Sequence, residues 1–409
     1  MAQGGGITTA PPPEVIVVGA GPSGLAVSAC LSLRGVPSLV LDRDDCVGSL
    51  WRKRAYDRLT LHLPKTVSAL PHAPHPDDAP TYLPRDDFAG YLDGYASRFG
   101  VRARLRLRRE VRAARFDAAR RRWDVEAVHL AAAASGGDGE AVAAAAERYA
   151  ARFLVVATGS YDEKFVPEVP GMEGFPGKVV HASEYRSAKG MEGKRVLVVG
   201  CGNSGMEIAL DLAEAGANAS IVIRSELHIL TKQILNLGVT LGFYLPVWMI
   251  DTLALFLCYL VFGDTSKHGI KRPALGPFAM NRQTSALPVI DVGTYKKIKN
   301  GEIEVIPTGM TSVNGNVVEF ADGRRRPFDA IVFATGYRSG IKRWLKDGSE
   351  LIGDNGILKQ RSPKAENGLY FAGLSGRGIF GSGTDAEFIA ADISKQLQPE
   401  VQVQGKPEH

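Results

Sequence analysis

The sequence predicts an α/β protein with two Rossmann-like dinucleotide-binding domains, the second inserted in the first. Three observations carry this. The fingerprint Gly19-Ala20-Gly21-Pro22-Ser23-Gly24 follows the apolar run Val15–Val18, and Gly200-Cys201-Gly202-Asn203-Ser204-Gly205 follows Val196–Val199. In each copy an apolar-periodic helix, Leu25–Leu33 or Met206–Ala215, is expected from the last glycine, which is the strand–turn–helix context that gives the motif its meaning. The run Phe153–Val156 ending in Ala157-Thr158-Gly159 then recurs as Ala330–Phe333 ending in Ala334-Thr335-Gly336. Two such buried strands are expected where a nucleotide-binding domain hands the chain to its neighbour. The expected boundaries are 1–162 with 323–409 for the first domain and 163–322 for the second.

A strand–turn–helix of this kind lays a pyrophosphate on a helix N-terminus. Gly19 and Gly200 permit the tight turn, Gly21 and Gly202 let backbone approach phosphate, and Gly24 and Gly205 let each helix pack on its strand. After the first fingerprint, Ser38–Asp42 ends in a carboxylate where an acid hydrogen-bonds a ribose hydroxyl, which suits FAD or NAD. Arg43, Leu50 and Trp51 are further candidate contacts, in and beside a loop-rich, proline-rich segment, Asp44–Asp87, of the kind that wraps a cofactor. An amphipathic helix is expected near Phe88–Phe99. Strict alternation over Val101–Arg109, with arginines on one face, reads as a half-exposed strand; a basic patch for a polyanion is the other reading. Strands are expected at Trp123–Leu130 and Phe153–Thr158, joined by the low-complexity Ala131–Ala146 as a loop in an antiparallel excursion.

The second fingerprint is followed by Ser220–Ser225, where the acid position carries Arg224. A guanidinium pairs with a 2′-phosphate that a carboxylate would repel, so Asn203, Ser204, Arg224 and Ser225 are candidate NADPH contacts; a solvated strand-end charge is the alternative for Arg224. The apolar stretch Val239–Phe262, broken by Pro246 and Asp251, reads as a buried or interfacial helix, with peripheral membrane contact or a span as alternatives. Near the C-terminus, Leu369–Ala372 runs into Gly373, Gly376, Gly378, Gly381 and Gly383, and a helix is expected at Asp385–Leu397. Close backbone approach to the flavin, or a flexible surface loop, would each account for those glycines.

Composition bounds the function. A formal net charge of +5 is mild for 409 residues and no nucleic-acid module accompanies it, so no nucleic-acid partner is expected. Cys30, Cys46, Cys201 and Cys258 form no Cys-x-x-Cys pair and no metal-ligand spacing, which points to a reducing compartment, no metal, and a chemistry other than disulfide reduction. Met1–Pro13 lacks the basic and apolar regions of a signal peptide and reads as a frayed tail of a cytoplasmic protein.

Phe175-x-Gly177-x-x-x-His181-x-x-x-Tyr185, with both fingerprints, resembles the identifying motif of class B flavin monooxygenases, and its terminal Tyr resembles the flavin-containing monooxygenase branch rather than the Baeyer–Villiger branch. Ser49-Leu50-Trp51, Tyr56–Leu59, Leu61–Lys65, Arg272–Pro277, Asp291-Val292-Gly293 and Phe333–Tyr337 are similar to stretches of the plant YUCCA enzymes. That resemblance spans nearly the whole chain. It implies FAD and NADPH as cofactors, a 2-oxo acid and O2 as substrates, and oxidative decarboxylation of indole-3-pyruvate to indole-3-acetic acid through a C4a-peroxyflavin. A general N- or S-oxygenating monooxygenase and a catalytically silent NADP-sensing flavoprotein remain as alternatives. His62 aligns with the asparagine that many flavin-containing monooxygenases place near the peroxyflavin; a satisfied buried side chain is the other reading. His181 is expected to orient the domain junction. Ser160-Tyr161 departs from the Glu-Asn usual in YUCCA enzymes, which bears on contact to the nicotinamide and on the substrate cavity. Peripheral contact with the endoplasmic reticulum is one open reading of Val239–Phe262.

Overall fold

The computed structural model describes residues 13–130 and 146–398. The expected N-terminal tail and Ala/Gly-rich loop therefore lie outside the described residues, except for Pro13 and for Ala146, which opens the strand Ala146–Ala151. Two five-stranded parallel sheets organise the rest. The first runs in the order Leu369–Phe371, Phe153–Val156, Val15–Val18, Ser38–Leu41, Leu105–Arg106. The second runs Lys178–His181, Ala330–Phe333, Arg195–Val199, Asn218–Val222, Ile303–Ile306. Each has its fingerprint strand at the centre, and the inner strands Val15–Val18, Phe153–Val156, Val196–Val199 and Ala330–Phe333 are buried as continuous apolar runs, as parallel sheets covered on two faces require.

This equivalence explains the recurrence of Phe153–Gly159 as Ala330–Gly336. Val15 pairs with Phe153 in the first sheet and Val196 pairs with Ala330 in the second, so the two runs are the same strand of two similar units. The expected boundary at 322 is corrected accordingly. Ala330–Phe333 sits between Arg195–Val199 and Lys178–His181 inside the second sheet, and the chain returns to the first unit only beyond Gly336.

The first sheet packs one face on the helices Pro22–Leu33, Arg85–Arg98 and Gly378–Leu397, where Leu25, Leu31, Phe88 and Ile389 are fully buried. Each of the two leucines contributes roughly 1.5–3 kcal/mol of burial free energy. Its other face is covered by the antiparallel strands Arg109–Asp117, Arg122–His129 and Ala146–Ala151, with Trp123 at the centre and its indole N–H donated to Asn367 O at 2.8 Å.

Three local expectations differ from the structure. Val101–Arg109 is not one strand: Gly100 takes a left-handed φ of 65°, a 3-10 turn over Val101–Arg104 tucks Val101 into the core, and only Leu105–Arg106 joins the sheet edge. Arg108 at φ 58° then reverses the chain, so the alternation of arginines does not mark one face. The C-terminal helix starts at Gly378 instead of Asp385, because packing on Pro22–Leu33 outweighs the poor helix propensity of its glycines. The apolar stretch 239–262 spans the end of the helix Lys232–Leu241, a break at 242–246, and the helix Val247–Phe262. Among the described residues no helix is long and apolar enough to cross a membrane.

Candidate functional site

The two glycine loops are built alike, residue by residue. Gly19 has φ 113° and Gly200 φ 109°, a region L side chains rarely adopt, and a Cβ on either would stand 2.4 or 2.5 Å from the carbonyl of Ala157 or Ala334. A Cβ on Gly24 would meet Gly19 O at 1.8 Å, and on Gly205 would meet Gly200 O at 2.0 Å, so these glycines set helix against strand. Gly21 and Gly202 differ. Both have extended backbone angles open to any residue, and a Cβ on either meets no atom within 4 Å. Each opens a helix, Pro22–Leu33 or Asn203–Glu214, whose first N–H groups lack intrahelical partners and favour an anion.

Beside the first loop lies a cavity of about 630 Å³ whose walls include Gly19, Gly21, Asp42, Arg43, Leu50 and Trp51. Asp42 accepts from the N–H of Ala20 (2.5 Å) and of Asp44 (2.8 Å), and burial pushes its carboxyl up to about 6, so it is ionised at neutral pH with lone pairs to spare. Arg43 pairs with Asp162 at 2.6 Å across the cavity mouth. Trp51, on the short helix Ser49–Lys53, meets Phe88 edge to face with centroids 4.8 Å apart. The buried Thr158 hydroxyl, also on the wall, has no hydrogen-bond partner among the described residues. An orphaned hydroxyl, a ring of backbone donors and an acid at the end of the second strand fit an adenine dinucleotide. Gly373 lies behind this wall: its N–H donates to Asp385 (3.0 Å) and a Cβ there would stand 2.0 Å from Oγ of Ser23, which lines the cavity.

At the second loop Asn203 spends its side chain on structure, accepting from the N–H of Ile290 at 2.7 Å. Ser204 lies beside the Tyr56 hydroxyl. Arg224 and Ser225 are exposed just past the strand Asn218–Val222, and Arg224 has no ion pair among the described residues. The exposed guanidinium is therefore available to a nucleotide on this loop.

The junction carries the remaining candidates. His181 is buried; its Nε2–H donates to Gly336 O (3.1 Å), its Nδ1 accepts from the N–H of Ser183 (3.2 Å), and burial pushes its pKa down. A neutral imidazole with both nitrogens committed orients the chain as it leaves the strand Lys178–His181. Tyr185 donates to Asp211 on the helix Asn203–Glu214 at 2.6 Å, and Arg58 reaches the same carboxylate at 3.4 Å and Glu214 at 2.7 Å. The motif thus ties the loop after the first fingerprint to the helix after the second.

His62 is held across that seam. Its Nε2 lies 2.6 Å from an oxygen of Glu207, a carboxylate only 3% exposed on the second fingerprint's helix, and its Nδ1 has no partner among the described residues. Glu207 is absent from the sequence reading, although one acid inside Met206–Leu210 is a visible break in an apolar face. Two of the stretches similar to YUCCA enzymes, Arg272–Pro277 and Asp291-Val292-Gly293, prove to lie at helix caps. Asp291 accepts from the N–H groups of Gly293 and Tyr295, and Asp251 accepts from those of Phe278 and Ala279, where the Gly276-Pro277 step opens the helix Pro277–Thr284. Tyr161, of the departing pair, lines the first cavity and packs edge-on against Tyr337 at 5.5 Å.

Residues 13–348 match the model of the flavin-binding monooxygenase-like family. The chain is 44% identical to a probable indole-3-pyruvate monooxygenase, YUCCA10, of Arabidopsis thaliana, over 94% of this chain and 97% of that one. It is 45% identical to the indole-3-pyruvate monooxygenase YUCCA4 of Oryza sativa subsp. japonica, over 94% and 88%. Among solved structures, a flavin-containing monooxygenase from Stenotrophomonas maltophilia shares the fold with TM-score 0.67 at 20% identity, covering 94% of this chain and 99% of that one. Cyclohexanone monooxygenase from Rhodococcus sp. Phi1, bound to NADP+, does so with TM-score 0.67 at 17%, covering 94% and 85%.

Proposed function

Since this chain belongs to the flavin-binding monooxygenase-like family, we propose that it is an NADPH- and O2-dependent FAD monooxygenase that converts indole-3-pyruvate to the auxin indole-3-acetic acid. The pair of open-faced glycines, Gly21 and Gly202, on two similar loops carries the two-cofactor reading; relatives at 44% and 45% identity over nearly the whole chain supply the substrate. FAD, when bound, supplies the two-electron relay from NADPH to O2. In sum one keto acid, one O2, one NADPH and one proton give the shortened acid, CO2, NADP+ and water.

The protein's part is to hold and shelter. Gly19, Gly21, Gly24, Asp42, Arg43, Leu50 and Trp51 would hold FAD in the first cavity, while Gly200, Gly202, Gly205, Ser225 and Arg224 would hold NADPH on the second loop. Glu207 fixes His62 through Nε2 and leaves Nδ1 to bond an oxygen at the reacting centre. Oxygen uptake with NADPH and indole-3-pyruvate tests the whole reading. Equimolar consumption with CO2 release supports it, whereas uptake with tertiary amines or thioethers but not the keto acid returns the chain to the heteroatom-oxygenating alternative.

Two substitutions probe the parts. Arg224→Ala is expected to raise the KM for NADPH about ten-fold or more while leaving that for NADH unchanged, as loss of charge-assisted bonds to a phosphate requires. Equal use of both nucleotides by the wild type would remove that role. His62→Ala is expected to leave anaerobic bleaching by NADPH intact and to divert most of the consumed O2 to hydrogen peroxide. Unchanged coupling would leave His62 a packing residue.

We also propose peripheral contact of this cytoplasmic protein with the endoplasmic reticulum membrane, through the helix Val247–Phe262. Trp248, Phe256, Tyr259 and Leu260 are 58–69% exposed on it, and exposed Lys267 and Lys271 follow in the chain, a pairing of aromatic and basic groups suited to an anionic headgroup layer. Co-sedimentation with anionic vesicles, lost in Trp248→Ser with Tyr259→Ser, is the expected result; no sedimentation by the wild type would refute the contact.

A further inference from the structure

A 2-oxo acid reaches a water-excluding centre with its carboxylate charged, and that charge needs a cation beside it. The cations around the two loops and their junction are nearly all committed. Arg43 is paired with Asp162, Arg54 with Asp44, Arg58 with Asp211 and Glu214, and Arg377 with Asp385. Lys65 is spent on three backbone carbonyls. Arg224, exposed on the second loop and assigned above to the nucleotide, has no carboxylate within 4 Å among the described residues, and neither has Lys232 beside His62.

Its placement is unfavourable for a lone cation. Lys232 is half-buried, at the first position of the helix Lys232–Leu241, where the positive end of the helix dipole repels an ammonium. Burial pushes its pKa down against the opposing attraction of Glu207. What holds it is one hydrogen bond to Thr60 Oγ1 (2.6 Å) and the face of Tyr82, 4.7 Å from ammonium to ring centroid. Two of its three N–H donors have no hydrogen-bond partner among the described residues. Thr60 lies two residues before His62 on one stretch of chain, and Glu207, which holds His62, is also the acid that Lys232 senses.

We infer that Lys232, set on Thr60 and Tyr82 beside the His62–Glu207 pair, is the residue that recognises the substrate's carboxylate and so selects 2-oxo acids over neutral ketones. The inference rests on the proposed 2-oxo acid substrate. An ammonium stabilises a carboxylate but not the CO2 it becomes, so the pairing acts in binding and not in bond cleavage. Lys232 is a specificity residue whose loss appears in KM and not in kcat.

The test uses oxidised holoenzyme titrated with indole-3-acetate and with its neutral counterpart indole-3-acetamide, each followed by perturbation of the flavin absorbance. Wild type should bind the acid more tightly. Lys232→Met should weaken the acid by about ten-fold or more and leave the amide within about two-fold, while Lys232→Arg keeps the preference. In turnover, Lys232→Met should raise the KM for indole-3-pyruvate with kcat nearly unchanged. Full flavin content and normal bleaching by NADPH certify the fold; if Lys232→Met loses flavin, Lys232→Gln carries the same comparison. Equal weakening of acid and amide, no change in either, or no acid preference in the wild type overturns the inference. Turnover of indole-3-pyruvate by a Lys232→Met enzyme with wild-type KM overturns it while sparing the proposed function. Lys232-dependent acid binding without turnover of that substrate sustains it and sinks the proposed reaction instead.

Discussion

Gly21→Ala is expected to give folded but colourless protein. The backbone at Gly21, φ −80° and ψ −175°, suits alanine, and the added methyl would touch no protein atom within 4 Å, so folding has no reason to fail. The methyl instead stands in the first cavity, where a pyrophosphate must reach backbone N–H groups at the helix N-terminus. Gly24→Ala supplies the contrast. Its methyl would lie 1.8 Å from Gly19 O, forcing the helix Pro22–Leu33 off its strand, and the expected outcome is loss of folded protein itself. Flavin absorbance per chain, with circular dichroism as the check on folding, separates the two. The colourless variant should also unfold at lower temperature than the yellow wild type, since a ligand bound only to the native state stabilises it. Gly21→Ala purified yellow at full occupancy would move FAD elsewhere.

Much of this was legible because glycine and parallel strands leave strong local signals. The two fingerprints gave both loops, both helices and both central strands, since only a residue without a Cβ can stand where Gly19 O or Gly200 O approaches within about 2 Å of the position a Cβ would take. The boundary at 322 failed for a reason of the same kind. A buried strand looks alike whether it closes one unit or opens the next, and only the pairing of Ala330 with Val196 tells which. The arginine alternation at 101–109 misled because period two is cheap over a few residues, whereas Gly100 and Arg108 turn the chain twice within it. Gly373 stands out in the sequence as a glycine after a strand; the structure adds its neighbour, Ser23 on the cavity wall, which no spacing in the sequence could name. Glu207 and Lys232 went unseen for a deeper reason. Each owes its significance to a partner in another part of the chain, His62 and Thr60, and no spacing in a sequence marks a pair made across a seam.

Gly202→Ala should separate the two loops functionally. The substitution is as benign for the fold as Gly21→Ala, with φ −85°, ψ −173° and no atom within 4 Å of the new methyl, but it lies on the second sheet's loop. The walls of the first cavity include no residue of that loop, so the protein is expected to purify yellow with normal flavin content. Anaerobic addition of NADPH should then fail to bleach it, or do so more slowly by about a hundred-fold, because a methyl against the pyrophosphate removes both the backbone bonds and the orientation that brings the nicotinamide to the flavin. Dithionite should still bleach it, which shows that the flavin itself is competent. Gly205→Ala again serves as the structural contrast, its methyl 2.0 Å from Gly200 O. Bleaching of Gly202→Ala by NADPH at the wild-type rate would mean that the second loop packs a helix and nothing more, and the reducing nucleotide would have to enter by another route.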